Sequence, residues 1–181
     1  MRYFLLILVL FTSLHASIKE EMFSLYQKKQ YKKACRLGFN NFSRFKGNEE
    51  LVSLYGFACL NTDYIDRLAI PVTALKSSAE ARANASYFAV ILMQKKMLYH
   101  ALIDGYDLSK LKLPTTTYVL SKVFDFYAKE KKQQNQNFYI FQDKNDAKLS
   151  YKLYLMKDKK VIKMVIEEFY DKMLIKRHIY W

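Results

Sequence analysis

Two cysteines, three histidines and one short acidic run are the side chains here whose types could carry chemistry. Cys35 and Cys59 are the only thiols, and Gly47 lies twelve residues from each. Asn40-Asn41 and Lys46-Gly47-Asn48 between them have the composition of a helical-hairpin turn. On two antiparallel helices joined there, the sulfurs would stand at the same height, as bridge geometry requires. A bridge closing this loop would stabilise the fold by roughly 3 kcal/mol by restricting the unfolded chain; two buried free thiols are the alternative. His15, His100 and His178 are isolated in sequence, so no cluster with metal-ligand spacing is expected. Glu167-Glu168 with Asp171 reads as a solvated strand end, and a glycosidase built on Glu80 or Glu168 has no further support. There is no phosphate-binding glycine loop, nucleophile elbow or paired-cysteine redox motif. The expectation is a protein that is not an enzyme and has no catalytic, metal-binding or cofactor-binding residues.

Charge is the other chemical resource. The 181 residues carry 30 Lys/Arg against 17 Asp/Glu, a formal +13. It is spread along the chain, with local groups at Lys28-Lys29-Lys32-Lys33-Arg36, Lys95-Lys96 and Lys157-Lys159-Lys160. No arginine-rich block or aromatic-basic ribonucleoprotein motif concentrates it, so nucleic acid is not the expected partner. An anionic envelope surface or an acidic protein suits it better.

The compartment is read from the first residues. Met1-Arg2 precedes an apolar run from Tyr3 to Leu14, followed by the small residue Ala16: the parts of a secretory signal cut near Ala16. The run is shorter than the roughly twenty residues of a spanning helix, so no transmembrane span is expected in the mature chain. A periplasmic or secreted location follows, where disulfides persist.

The elements that would position these residues come from periodicity. Gln27-Lys28-Lys29-Gln30-Tyr31-Lys32-Lys33-Ala34 recurs as Gln94-Lys95-Lys96-Met97-Leu98-Tyr99-His100-Ala101, and Asn61 to Ala69 falls halfway between. The turn positions Tyr31, Tyr64 and Leu98 are thus 33 and 34 residues apart. Each unit reads as a helix with apolar residues at helical spacing (Met22, Leu25, Tyr26; Leu51, Leu54, Tyr55, Ala58; Phe88, Ile91, Leu92), a tight turn, and a second helix. Ile70-Pro71 should kink, break or restart the second helix of the second unit. The period, the large residue opening each second helix and the Ala after it resemble the tetratricopeptide repeat, over roughly residues 18–103. That resemblance implies stacked helical hairpins that bind a protein or an extended peptide. Tyr26, Tyr55, Tyr87 and Tyr118, read on the first helices, are the candidate partner-binding residues, with burial in the inter-helix core as the equal alternative.

After Asp104-Gly105 and Pro114, one of Thr115 to Thr117 would cap a terminal helix reaching about Ala128. The polar run from Lys129 to Asn137 marks a boundary. Beyond it the period becomes two: Phe138 to Phe141, then Leu149, Tyr151, Leu153 and Leu155 alternating with other residues. Residues 161–169 fit strand or helix, with strand favoured by the β-branched content, and Met173 to Tyr180 is strand-like. Trp181 would close the apolar edge between strands and helices. The predicted organisation is a signal at 1–16, a helical-repeat domain at 17–132 and an antiparallel β meander at 137–181 packed on the helices. This is an α+β protein: a tetratricopeptide-like α-hairpin stack followed by a small meander. Its expected function is that of an exported protein-binding adaptor; the alternative is a basic envelope protein that binds anionic wall polymer or membrane through its charge and β module.

Overall fold

The computed structural model describes residues 17–129 and 137–181. The signal and cleavage site predicted at 1–16, and most of the polar boundary run, lie outside these residues. Helix α1 (Ile18–Gln27) starts in a capping box: the Ser17 hydroxyl accepts from the Glu20 amide, and the Glu20 carboxylate accepts from the Ser17 amide, which satisfies two otherwise orphaned donors. Lys29, at φ 56°, turns the chain into α2 (Tyr31–Asn41). A short 3-10 turn and Phe45 to Asn48 then lead to α3 (Glu49–Leu60), whose first turn is capped by Asn48.

Two glycines let these helices approach closely. A β-carbon on Gly38 of α2 would stand 2.5 Å from the Tyr55 ring on α3, and one on Gly56 would stand 2.5 Å from the Phe88 ring. Both aromatic rings are wholly buried.

Asp63, at φ 61°, makes the next turn. The Ile70-Pro71 break takes the form of a 3-10 turn, Ile65–Leu68, passing into α4 (Ala69–Ala74). Pro71 falls in the first turn of α4, where its missing amide costs nothing. The Glu49 carboxylate on α3 accepts the amides of Lys76, Ser77 and Ser78, and the Ser77 and Lys76 bonds hold its pKa down at about 2. Glu49 thereby fixes the entry to α5 (Ala79–Asp104), which ends at Gly105 in the left-handed conformation.

The third unit departs from expectation. No turn occurs between Gln94 and Leu98; α5 is one unbroken helix of 26 residues, roughly 39 Å long at the standard rise. Gln, Lys, Met and Leu are all good helix formers, so nothing local stops the helix there. The capping helix, α6 (Val119–Lys129), begins just beyond the predicted threonines; the Thr116 amide donates to the Ser121 hydroxyl.

The C-terminal residues form β1 (Phe138–Gln142), β2 (Leu149–Asp158), β3 (Val161–Tyr170) and β4 (Met173–Tyr180), an antiparallel meander in the order β1-β2-β3-β4. Residues 161–169 are therefore strand, as the β-branched content favoured. Lys159 turns β2 into β3, and Asp171 and Lys172, both at positive φ, turn β3 into β4. One face of the sheet lies on the helices: Phe126 of α6 stacks on Phe141, Tyr127 meets Tyr139 edge-on, and the apolar core runs continuously from Met22 to Tyr180. No helix among the described residues is long and apolar enough to cross a membrane.

The close α2–α3 packing predicts that Gly38→Ala destabilises the protein by about 1–3 kcal/mol through overpacking against Tyr55. Urea denaturation measures it, and an unchanged midpoint would contradict this packing.

Candidate functional site

Residues the sequence leaves apart converge where α3, the Asp63 turn and β4 meet. His178, on the inner face of β4, is 1% exposed. Its Nδ1 lies 2.7 Å from Asp63 Oδ1 and its Nε2 2.7 Å from Glu168 Oε1. Glu168 is on the neighbouring strand, one step along from His178's direct partner Ile166 on that face. Asp63 stands in the turn after α3, at φ 61°, and its carboxylate meets the imidazole from the helical layer. The Tyr118 hydroxyl donates to Asp63 Oδ1 at 2.5 Å, and the Tyr180 hydroxyl approaches the same oxygen at 3.3 Å.

Two carboxylates at the two ring nitrogens require both nitrogens to donate, which is the protonated form of histidine. Burial opposes that charge, but the bonds to Asp63 and Glu168 outweigh it and the His178 pKa stands above its ordinary value. Burial, reinforced by the Asp63 charge, holds the Tyr118 hydroxyl well up as a donor. With both nitrogens occupied, His178 has no lone pair to offer a substrate or a metal. Through its two ring nitrogens the imidazole joins the Asp63 turn of the helical layer to β3 of the sheet. Among the described residues no group of three or more His, Cys, Asp or Glu is placed to hold a metal ion.

Beside this seam is a pocket of about 310 Å³ lined by Asp63, Tyr64, Asp66, Arg67, Lys95 and Trp181 among others. Lys95, on the stretch of α5 predicted to turn, is 2% exposed. Its ammonium donates to Asp66 Oδ2 at 2.9 Å and to the main-chain oxygen of Trp181 at 2.5 Å. Burial lowers its pKa, with the bond to Asp66 opposing. A wider cleft of about 560 Å³ separates Tyr87 and Thr115 to Thr117 from Phe126 and the β1–β2 turn.

The remaining predicted positions fall as follows. Cys35 and Cys59 are bonded to each other across α2 and α3, with Cα atoms 4.8 Å apart; a disulfide fits an oxidising compartment. Of the four tyrosines, Tyr55 is fully buried and its ring packs on Gly38, so it cannot face a partner. Tyr118 is committed to Asp63. Tyr87 borders the wider cleft, and Tyr26 is half-buried against Tyr31. The acidic run is not a solvated strand end: Glu167 is buried and paired with Arg177, and Glu168 holds His178. Nor is His178 isolated, since its partner Asp63 stands 115 residues earlier. His100 pairs with Asp104 at the surface, and Glu80 lies in the first turn of α5. Trp181 does not close an apolar edge, because the residue is 56% exposed and its main-chain oxygen makes the contact with α5. The only hint of the seam in sequence was a histidine alternating with Tyr180 on one strand face.

No family model matches the chain, no curated protein matches it in sequence, and no solved structure matches it.

Without reductant neither cysteine should alkylate, and the reduced protein should be less stable by roughly 3 kcal/mol in the chain-entropy model; mass spectrometry and paired urea melts read both, and alkylation of the unreduced protein would contradict the bridge. The seam makes a pH-dependent contribution. Because the folded pKa of His178 is raised, its contribution is complete below the ordinary histidine range and is lost as pH rises through the folded value. The stability gap between wild type and His178→Asn, about 3 kcal/mol at its largest, should therefore shrink on going from near-neutral to alkaline pH. A gap that widens with pH would contradict a protonated imidazole.

Proposed function

We propose that this is an exported, envelope-side adaptor that binds an extended segment of another protein along the free edge of β4. The observation that carries this reading is the start of that edge strand. Met173, Leu174 and Ile175 are 67%, 48% and 55% exposed in succession, and β4 is the last strand of the sheet order. An edge strand offers main-chain donors and acceptors to an added strand, and alternating apolar side chains supply selectivity. The register shift between Glu168 and Phe169 leaves Ile175 without a direct partner on β3, a bulge that re-aims apolar side chains at a sheet edge. Lys172 and Lys176 flank the three apolar residues, so a segment with acidic flanks suits the edge.

Export is supported by the apolar N-terminal run and the cystine, and a periplasmic location suits both. The resemblance of the helical hairpins to tetratricopeptide units, with α5 replacing one hairpin by a single long helix, supports a scaffold in preference to a catalyst. The half-exposed Tyr26 and Tyr87 offer a secondary contact surface on the helices.

Photo-crosslinking residues placed at Met173 and Ile175 in intact cells should each capture the same protein, while a probe at Lys33 on α2 should not. A synthetic peptide from the captured segment should then bind the purified protein, and Ile175→Asp should weaken it by about tenfold or more. Capture of only a second copy of this chain, or no partner common to the two positions, would overturn the reading.

A further inference from the structure

At the opposite end of the sheet from the β3–β4 turn, the β2–β3 hairpin presents six consecutive exposed residues, Lys157 to Ile162. Asp158 is the one acid among them, and Lys163 is within 2.5 Å of it. Among the described residues no carboxylate pairs with Lys157, Lys159 or Lys160. Beside these three cations stand uncovered apolar groups: Val161 is 43% exposed, Ile162 38% and Trp181 56%. The β3–β4 register, Met164 opposite Tyr180, brings Trp181 to this end, where the Lys163 ammonium sits 5.4 Å from the indole centroid.

The surface is firmly mounted. The Tyr99 hydroxyl on α5 donates to the Ile162 main-chain oxygen, and the buried Lys95 ammonium donates to that of Trp181. Both strand ends are thus tied to the longest helix, and the exposed side chains project from a fixed platform.

We infer that this hairpin end, with Trp181, docks on an anionic phospholipid surface. Charge complementarity selects the sign of the partner: three unpaired lysines in four residues meet the negative potential of a headgroup layer. The apolar groups select lipid over a hydrated polyanion. Against a wall polymer or an acidic peptide, Val161, Ile162 and an exposed indole would gain little, whereas indoles settle at the headgroup boundary and aliphatic side chains reach below it while lysine stems extend upward. The inference is independent of the β4 edge reading, since it uses other residues at the other end of the sheet.

Trp181 is the only tryptophan in the chain, so its emission reports this surface alone. The full oxidised chain is titrated with vesicles of phosphatidylethanolamine and phosphatidylglycerol, with phosphatidylcholine vesicles, and with soluble polyglutamate. The expected result is a blue shift with the phosphatidylglycerol vesicles only, reversed by high salt. The Lys157→Glu/Lys159→Glu/Lys160→Glu variant should lose it, and Ile162→Ser should weaken it, both with unchanged circular dichroism and melting temperature. No shift with phosphatidylglycerol, an equal shift with phosphatidylcholine or polyglutamate, or an unaltered shift in the folded charge-reversal variant would each overturn the inference. Because β4 residues 173–176 are untouched, crosslinking at Ile175 in the same variant separates failure here from failure of the edge-strand reading.

Discussion

The imidazole of His178, held between Asp63 and Glu168, is the contact on which the relation between the two layers depends. A helical hairpin stack and a four-stranded meander could meet through apolar contact alone, and Phe126 on Phe141 does part of that work. Apolar contact is tolerant of sliding, however, and a strand shifted by one residue would still bury half its side chains. A charged donor aimed at two carboxylates, one on each layer, has a single solution. A buried ion pair is weak evidence for stability when compared with an apolar replacement, but removing one partner leaves the other uncompensated. The seam is therefore best understood as fixing register, with the stability of the interface coming from the aromatic core around it.

The same logic governs the helical half at smaller scale. The disulfide joins α2 to α3, Gly38 and Gly56 set how closely the helices approach, and the Glu49 carboxylate gathers three amides at the start of α5. Each is a point constraint on a packing that is otherwise nonspecific. Arg67 links the helical hairpin to the pocket beside the seam: its guanidinium contacts Cys35 Sγ at 3.4 Å and lies over the rings of Phe39 and Tyr64. The covalent joint and the ionic joint are thus neighbours through one side chain and one turn.

These constraints explain what could be read in the sequence. The hairpin around Gly47, the cystine and the change of period after residue 137 are local patterns, and local patterns decide them. The tripeptide Gln-Lys-Lys shows where locality ends. After α1 it turns the chain, with Lys29 in the left-handed region. In α5 the same three residues lie inside an unbroken helix, followed by further good helix formers, and Lys95 there turns inward to Asp66 and Trp181, partners supplied by distant parts of the chain. The seam is hidden in the sequence for a related reason. Glu167 and Glu168 look solvated until β4 brings Arg177 and His178 alongside, and Asp63 meets His178 only across 115 residues of sequence.

The meander also separates two chemically unlike surfaces by a known length. Each ten-residue strand spans roughly 33 Å, so the lysine and tryptophan end lies far from the apolar start of β4. Both surfaces belong to strands whose inner faces are pinned, one through Lys95 and Tyr99 of α5, the other through the His178 seam. The adaptor role proposed above would need two contacts that cannot collapse onto one another, and a short sheet clamped to a helical layer would meet that requirement. With the basic end against a lipid surface, the free edge of β4 would run outward from it, with Met173 to Ile175 placed farthest from the membrane and accessible to a partner approaching from the aqueous side. The seam then has a mechanical role as well: it holds the angle between the two layers, and with it the direction in which the open strand points.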